Sequence, residues 1–168
     1  MMLAARRIAG IMAGRVRQAP YDPMISLLQR VSEAKVTVDG EVTGQIGPGL
    51  LVFLAVQPDD RDATVARMAE RVLTYRVFSD AEGRMNRSLV DAGMELLVVP
   101  QFTLAADTKK GTRPSFTRAA PPEMGRDYFN RFVSKCREMV PAVETGVFGA
   151  DMKVSLLNDG PVTFWLEA

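Results

Sequence analysis

The sequence predicts an α+β fold in which mostly antiparallel sheets build a barrel-like or layered core with two main helices. Three observations predict it. Strand-like segments stand at both ends of the chain. Two segments of helical periodicity interrupt them without strict β-α-β alternation, which argues for a largely antiparallel sheet. The 168 residues, 47% of them hydrophobic, suffice for one domain with a sizeable core.

Each element has a local reason. From Met24, "MISLLQRVSEAKVTVDG" reads as a long or bent strand, with Ala34, Val36 and Val38 alternating against Lys35 and Thr37. Asp39-Gly40 is a tight hairpin signal, and "EVTGQIG" returns as a second strand. "GLLVFLAV" (49–56) is continuously apolar, as a buried central strand would be. Asp59, Asp60 and Asp62 then announce a helix N-terminus, with Val65, Met68, Val72 and Tyr75 forming one apolar face. "ELLVVPQFTL" reads as another buried strand, followed by a polar loop, "AADTKKGTRPSF". In "PPEMGRDYFNRFVSKCREMV", Met124, Tyr128, Phe132, Cys136 and Val140 recur every four residues and predict the second helix. Three strand-like pieces close the chain, around Val143 to Gly146, "MKVSLL" and "VTFWLE".

Composition excludes several chemistries. There is no histidine, so Ser-His-Asp and Cys-His catalysis, HExxH zinc chemistry and imidazole proton shuttling are ruled out. The single cysteine, Cys136, rules out an internal disulfide framework and a Cys-rich zinc site. It fits a reducing cytoplasm, and its helical apolar setting reads as plain core. No metal and no cofactor are expected. No apolar run approaches the roughly 18 residues of a membrane span, so no membrane partner is expected. Residues 1–23 carry four arginines against Asp22, whereas the remainder holds 17 basic and 19 acidic residues. Bulk nucleic-acid binding through net charge is therefore excluded, and any such contact is local.

The first 23 residues fit a targeting peptide, a disordered arm or an upstream in-frame start. Met24 opens directly into a strand pattern, which favours the last, so the domain is expected over 24–168.

Among candidate sites, "GQIGPG" (44–49) lacks the GK[ST] ending and precedes a strand where a phosphate loop needs a helix, so it reads as a hairpin turn. "TKKGTRP" (108–114) clusters Lys109, Lys110 and Arg113 after a buried strand, and reads either as a solvated loop or as a phosphate contact. In "PQFTL" (100–104), strand geometry puts Gln101 and Thr103 on one face and Phe102 on the other. Thr103 is a candidate hydroxyl nucleophile or donor. The closing "NDGPVT" reads as a turn between strands, or as a rigid backbone wedge meeting a ligand.

"PQFTLAADTKKGTRPSF" and "NDGPVTFWLE" resemble the two motifs of the D-aminoacyl-tRNA deacylase family, first described on D-Tyr-tRNA. "RVSEAKVTVDGEVTGQIGPGLLVFLAV" and "RVFSDAEGRMN" are similar to the same family, and the resemblance spans about Met24 to Glu167. It implies a homodimeric, metal-independent hydrolase acting on the ester that joins a D-amino acid to the 3′-terminal adenosine of tRNA. Glycine mischarged on tRNA-Ala is also an implied substrate. It implies a Gly-cis-Pro pair at Gly160 and Pro161 that rejects L-aminoacyl esters and enters the partner subunit's active site. It places the catalytic motif on Gln101, Phe102 and Thr103. Pro100 stands where the family usually has Ser, so a hydroxyl there is dispensable. A related animal group also carries Pro but lacks the Phe retained here as Phe102.

An activated ester needs chiefly oxyanion stabilisation, which backbone N–H groups of Gln101, Phe102 and Thr103 are expected to supply. Without histidine, a Thr103 nucleophile has no ordinary base beside it. Assistance by the substrate's own 2′-OH is therefore preferred, with Thr103 positioning. Lys109 (or Lys110), Arg113 and Asn158 are the expected substrate contacts. The competing readings are a non-catalytic tRNA- or peptide-binding module and an aminoacyl ester hydrolase without chiral preference.

Overall fold

A computed structural model describes residues 23–109, 111–117 and 119–168. The expected N-terminal extension lies outside the described residues except for Pro23, whose carbonyl accepts from Gln57 Nε2 at 2.7 Å.

Strand β1 (Ile25–Val38) organises the sheet. One edge pairs antiparallel with β3 (Gly49–Ala55) and then, beyond a bend, with β2 (Glu41–Ile46). Its other edge pairs antiparallel with β8 (Lys153–Glu167) over nearly its whole length. The Asp39-Gly40 hairpin forms as expected, with φ of 48° and 85°, the doubly positive pattern of a type I′ turn. The sheet continues through β6 (Glu95–Pro100) to β7 (Val143–Thr145). It curls until β2 meets β7, where a Cβ added to Gly44 would lie 2.6 Å from the Thr145 carbonyl oxygen. The α+β, barrel-like prediction holds.

Most strand pairs are antiparallel, as expected, with two exceptions. The pairs β3–β6 and β6–β7 are parallel. Parallel strands need long crossovers, and the two main helices serve as those crossovers. Helix α1 (Asp62–Thr74) lies between β3 and β6, and α3 (Pro122–Arg137) between β6 and β7. A hairpin of β4 (Phe78–Ser79) and β5 (Met85–Arg87) and a one-turn helix α2 (Leu89–Ala92) lie between α1 and β6. In that hairpin Asp80 accepts from the backbone of Arg84 and Glu82 and from the Asn86 and Arg84 side chains; the Arg84 amide is the main cause of its lowered carboxyl pKa.

Parallel pairing explains the continuous apolar runs. Leu50, Val52 and Leu54 of β3, with Leu96 and Val98 of β6, pack against Met68, Val72, Phe132 and Cys136 of the helices. Leu51, Leu97 and Val99 face the inside of the curl with Val31, Val36 and Ile46. Cys136 is core, as expected, and burial pushes its thiol up to about 12.

The remaining differences are local. Asp59 and Asp60 precede α1, and Asp60 closes the preceding turn by accepting the Gln57 N–H at 2.8 Å. The buried face of α3 is Gly125, Phe129, Phe132, Val133 and Cys136, broader than the four-residue repeat predicts. In "GQIGPG" the turn is confined to Gly47-Pro48, while Gly44 and Gly49 sit inside strands.

Candidate active site

Strand β6 ends earlier than the sequence predicts. Gln101 makes the last sheet-like bond, its N–H donating to the Leu54 carbonyl at 2.8 Å. The chain then tightens into a 3₁₀ turn over Phe102–Ala105. The face assignment of Gln101, Phe102 and Thr103 as strand residues is therefore corrected. Leu104 N–H donates to the Gln101 carbonyl and Ala106 N–H to the Thr103 carbonyl, both at 3.2 Å. A turn of this kind leaves its leading amides without partners inside the turn. Here those are the amides of Phe102 and Thr103, which follow the end of a buried, paired strand.

Gln101 Nε2 donates to Thr103 Oγ1. That bond leaves the hydroxyl proton of Thr103 available for donation and gives the oxygen an amide neighbour rather than a base. Phe102 is 57% exposed, and its ring packs on Phe116 at 5.2 Å between centroids.

Beside this turn lies an apolar cleft of about 520 Å³. Gln101 and Phe102 form one wall, and Phe116, Phe129 and Phe148 contribute three further aromatic rings. Gly125 of α3 lets Phe148 approach, since a Cβ there would stand 3.2 Å from the Phe148 ring. Such a cleft suits a flat aromatic group, with polar atoms confined to the Gln101 end. Sequence reading missed Phe116, Phe129, Phe148 and Gly125. Phe129 adjoins the predicted apolar face of α3, and Gly125 is a glycine inside a helical pattern; these were the available signals.

"NDGPVT" is neither an end nor a reversal. β8 runs through it as one strand, so the two closing strands expected around it are a single element. The register against β1 steps from Val31↔Asn158 to Gln29↔Thr163, so Asp159–Val162 bulge out opposite Arg30 alone. The Gly160-Pro161 bond is cis. At Gly160 φ is 126°, and a Cβ would meet Val162 Cγ2 at 2.7 Å and Arg30 Nη2 at 3.0 Å, so the position requires glycine.

Two side chains clasp the bulge. Asn158 Nδ2 donates to the Arg30 carbonyl at 2.9 Å and the Val162 carbonyl at 3.0 Å. Arg30 Nε donates to the Asp159 carbonyl at 3.2 Å and pairs with its carboxylate at 3.1 Å, while Nη1 donates to the Val77 carbonyl at 2.6 Å. Gly160 and Pro161 remain exposed.

The predicted site residues thus fall into three groups. Gln101, Phe102 and Thr103 share one turn. Asn158, Gly160 and Pro161 share the bulge, whose partner Arg30 lies four residues along β1 from Ser26, the residue opposite Leu54. That is about 13 Å of strand, and no bulge residue lines the cleft. Lys109 and Arg113 are exposed on a loop closed by Asp107 and Ser115 and also stand outside the cleft; Lys110 lies outside the described residues. Among the described residues no three His, Cys, Asp or Glu side chains cluster as metal ligands would.

Comparison with known proteins agrees with this architecture. The chain is 63% identical over 145 residues to a D-aminoacyl-tRNA deacylase of Stenotrophomonas maltophilia, covering 86% of this chain and 99% of that protein. It is 57% identical over 144 residues to the Escherichia coli protein of the same name, with the same coverage. A solved structure titled "c-Myc DNA Unwinding Element Binding Protein" superposes with a TM-score of 0.82 at 37% identity, over 86% of this chain and 98% of that one. A probable eukaryotic D-amino acid tRNA deacylase shares the fold, with a TM-score of 0.76 at 19% identity over 86% of this chain and 99% of its own. With residues 27–167 matching the family described as D-Tyr-tRNA(Tyr) deacylase, the chain belongs to that family of aminoacyl-tRNA hydrolases.

Proposed function

We propose that this chain hydrolyses the ester of D-aminoacyl-tRNA, and of glycyl-tRNA mischarged on tRNA-Ala, at the Gln101–Thr103 turn. The observation that carries the reading is a 3₁₀ turn, whose leading amides have no partner within the turn, beside an aromatic cleft. In this reading the terminal adenosine of the tRNA occupies the cleft, and the ester carbonyl lies over the amides of Phe102 and Thr103. Attack puts negative charge on the carbonyl oxygen, and each preorganised donor is worth about 10²–10³ in rate. The attacking water is oriented by the substrate's 2′-OH, and Thr103 positions that hydroxyl. Among the described residues no base accompanies Thr103: the partner of its oxygen is the Gln101 amide.

Gly160 and Pro161 act as the chirality gate. They stand clear of their own protomer's cleft, so a second copy supplies them. β8 favours such a pairing, because it bonds to β1 alone among the described strands and exposes Leu156, Leu157 and Trp165. With the ester carbonyl and α-amino group both held, an L side chain strikes the bulge backbone while a D side chain points away. Glycine has no side chain to exclude. Lys109 and Arg113 contact the RNA from the loop beyond the turn, and Asn158 serves the site indirectly by holding the bulge. The enzyme works in the cytoplasm, where charged tRNA is found.

The direct test offers matched D- and L-aminoacyl-tRNA to the protein and follows the charged fraction. D-selective hydrolysis is expected. Equal hydrolysis of both isomers would support the non-stereoselective hydrolase, and binding without turnover the non-catalytic module. Thr103→Ala is expected to lower kcat by at most about tenfold, the value of one neutral hydrogen bond. A chelator is expected to leave the rate unchanged. Loss of all turnover in Thr103→Ala, with fold and tRNA binding intact, would make Thr103 the nucleophile.

A further inference from the structure

Helix α3 presents Arg126, Asn130, Ser134 and Arg137 on one exposed face, at helical spacings of four, four and three. They line a groove of about 390 Å³ against the segment from Thr145 to Phe148. The groove adjoins the aromatic cleft, and Phe129 and Phe148 belong to both. Among the described residues no acidic side chain lines it.

The cations on this face differ from their neighbours. Arg131 is held by Asp62 at 2.6 Å and Asp127 at 2.8 Å, and Lys135 by Glu138 at 3.0 Å. Arg126 instead lies over the Phe148 ring, 5.1 Å from its centroid, with its donors uncommitted to any carboxylate among the described residues. Arg137 gives one donor to the Val143 carbonyl at 3.3 Å and keeps the rest of its guanidinium fork. Two arginines, a neutral amide and a hydroxyl along a groove that adjoins an aromatic cleft match what a single-stranded RNA backbone requires. The helix rises about 16 Å from Arg126 to Arg137, enough for a few nucleotides.

We propose that this face is a phosphate track for the RNA strand immediately 5′ of the nucleotide in the cleft. The proposal rests on the reading of the cleft as the terminal-nucleoside site and adds the surface that distinguishes a whole RNA from its last nucleoside. It locates binding energy in α3, on a chain whose body carries no net positive charge to draw RNA in.

The test compares two substrates: a D-tyrosyl RNA hairpin with a single-stranded 3′ end, and D-tyrosyl adenosine, which has no phosphate. In Arg126→Gln/Arg137→Gln, KM for the RNA is expected to rise roughly tenfold or more at low salt with kcat retained. The slope of log(kcat/KM) against log salt should fall by about 1–2. Hydrolysis of D-tyrosyl adenosine should be unchanged. Arg126→Gln alone, which removes no hydrogen bond seen among the described residues, should show the same pattern with about half the change in slope. Unchanged kinetics on the RNA, or equal losses on both substrates, would overturn the phosphate track while leaving the cleft reading standing. Failure of the unsubstituted protein to hydrolyse either substrate would overturn both.

Discussion

Gly49→Ala is expected to destabilise the domain by about 3 kcal/mol or more, at the upper end of what overpacking does in a protein interior. Gly49 begins β3 directly opposite Glu95, the first residue of β6. A Cβ built at Gly49 would lie 2.0 Å from the Glu95 carbonyl oxygen and 2.8 Å from its carbonyl carbon. Both are backbone atoms of a central strand, so no rotamer change relieves the clash. Relief requires β3 and β6 to part, and with them the interleaved leucines on both faces. For a domain of this size the loss corresponds to a Tm lower by roughly 6–12 °C. Gly47→Ala is the control: its Cβ would meet only Glu95 Oε2, at 3.7 Å, and the change should stay within about 0.5 kcal/mol. Denaturant melts of the two variants check this directly. Equal stability of both would mean that the β3–β6 approach is not what excludes a side chain.

On the proposed role of the bulge as the chirality gate, Arg30→Met is expected to lower kcat/KM on D-aminoacyl-tRNA by about a hundredfold, because displacing such an element by an ångström can cost that much. The bulge of Asp159–Val162 has no strand partner other than the single residue Arg30. Its shape depends on the Arg30 fork, which bridges the Asp159 backbone to the Val77 carbonyl, and on Asn158 from the other side. Removing the guanidinium also strips the buried Val77 of its donor, costing about 1–3 kcal/mol in stability. Arg30→Lys should restore little, because a point charge cannot serve two separated carbonyls at once. Asp159→Asn should be mild, since Arg30 still reaches the Asp159 carbonyl. Kinetics of the three variants beside their melts separate the two effects. A folded Arg30→Met enzyme with full activity and full D-selectivity would show that the bulge needs no clasp.

What the sequence determined by itself was local. The Asp39-Gly40 turn is legible because only certain residues tolerate two consecutive positive φ values. Helices α1 and α3 are legible because apolar residues recur at helical spacing. The runs 50–56 and 95–99 announce burial on both faces by the absence of alternation, and the absence of histidine removes whole classes of mechanism before any fold is known.

Tertiary structure alone decided the rest. Local chemistry cannot tell whether a doubly buried strand pairs parallel or antiparallel; the crossovers through α1 and α3 decided that for β3, β6 and β7. "QFTL" alternates like a strand but leaves the sheet, because Gln101 makes the final bond to Leu54 and the next residues close a 3₁₀ turn. "NDGP" carries every signal of a reversal. It nevertheless continues straight, because the residues on both sides pair in one direction with β1 and the surplus is pushed out opposite Arg30. Phe102, Phe116, Phe129 and Phe148 come from a turn, a loop, a helix and a second loop. No spacing along the chain relates them, and only packing around Gly125 and the end of β6 makes them one cleft. Element type follows from short-range sterics and periodicity, which a sequence displays. Juxtaposition follows from strand register and the burial of distant apolar faces, which become determinate only when the whole chain is closed.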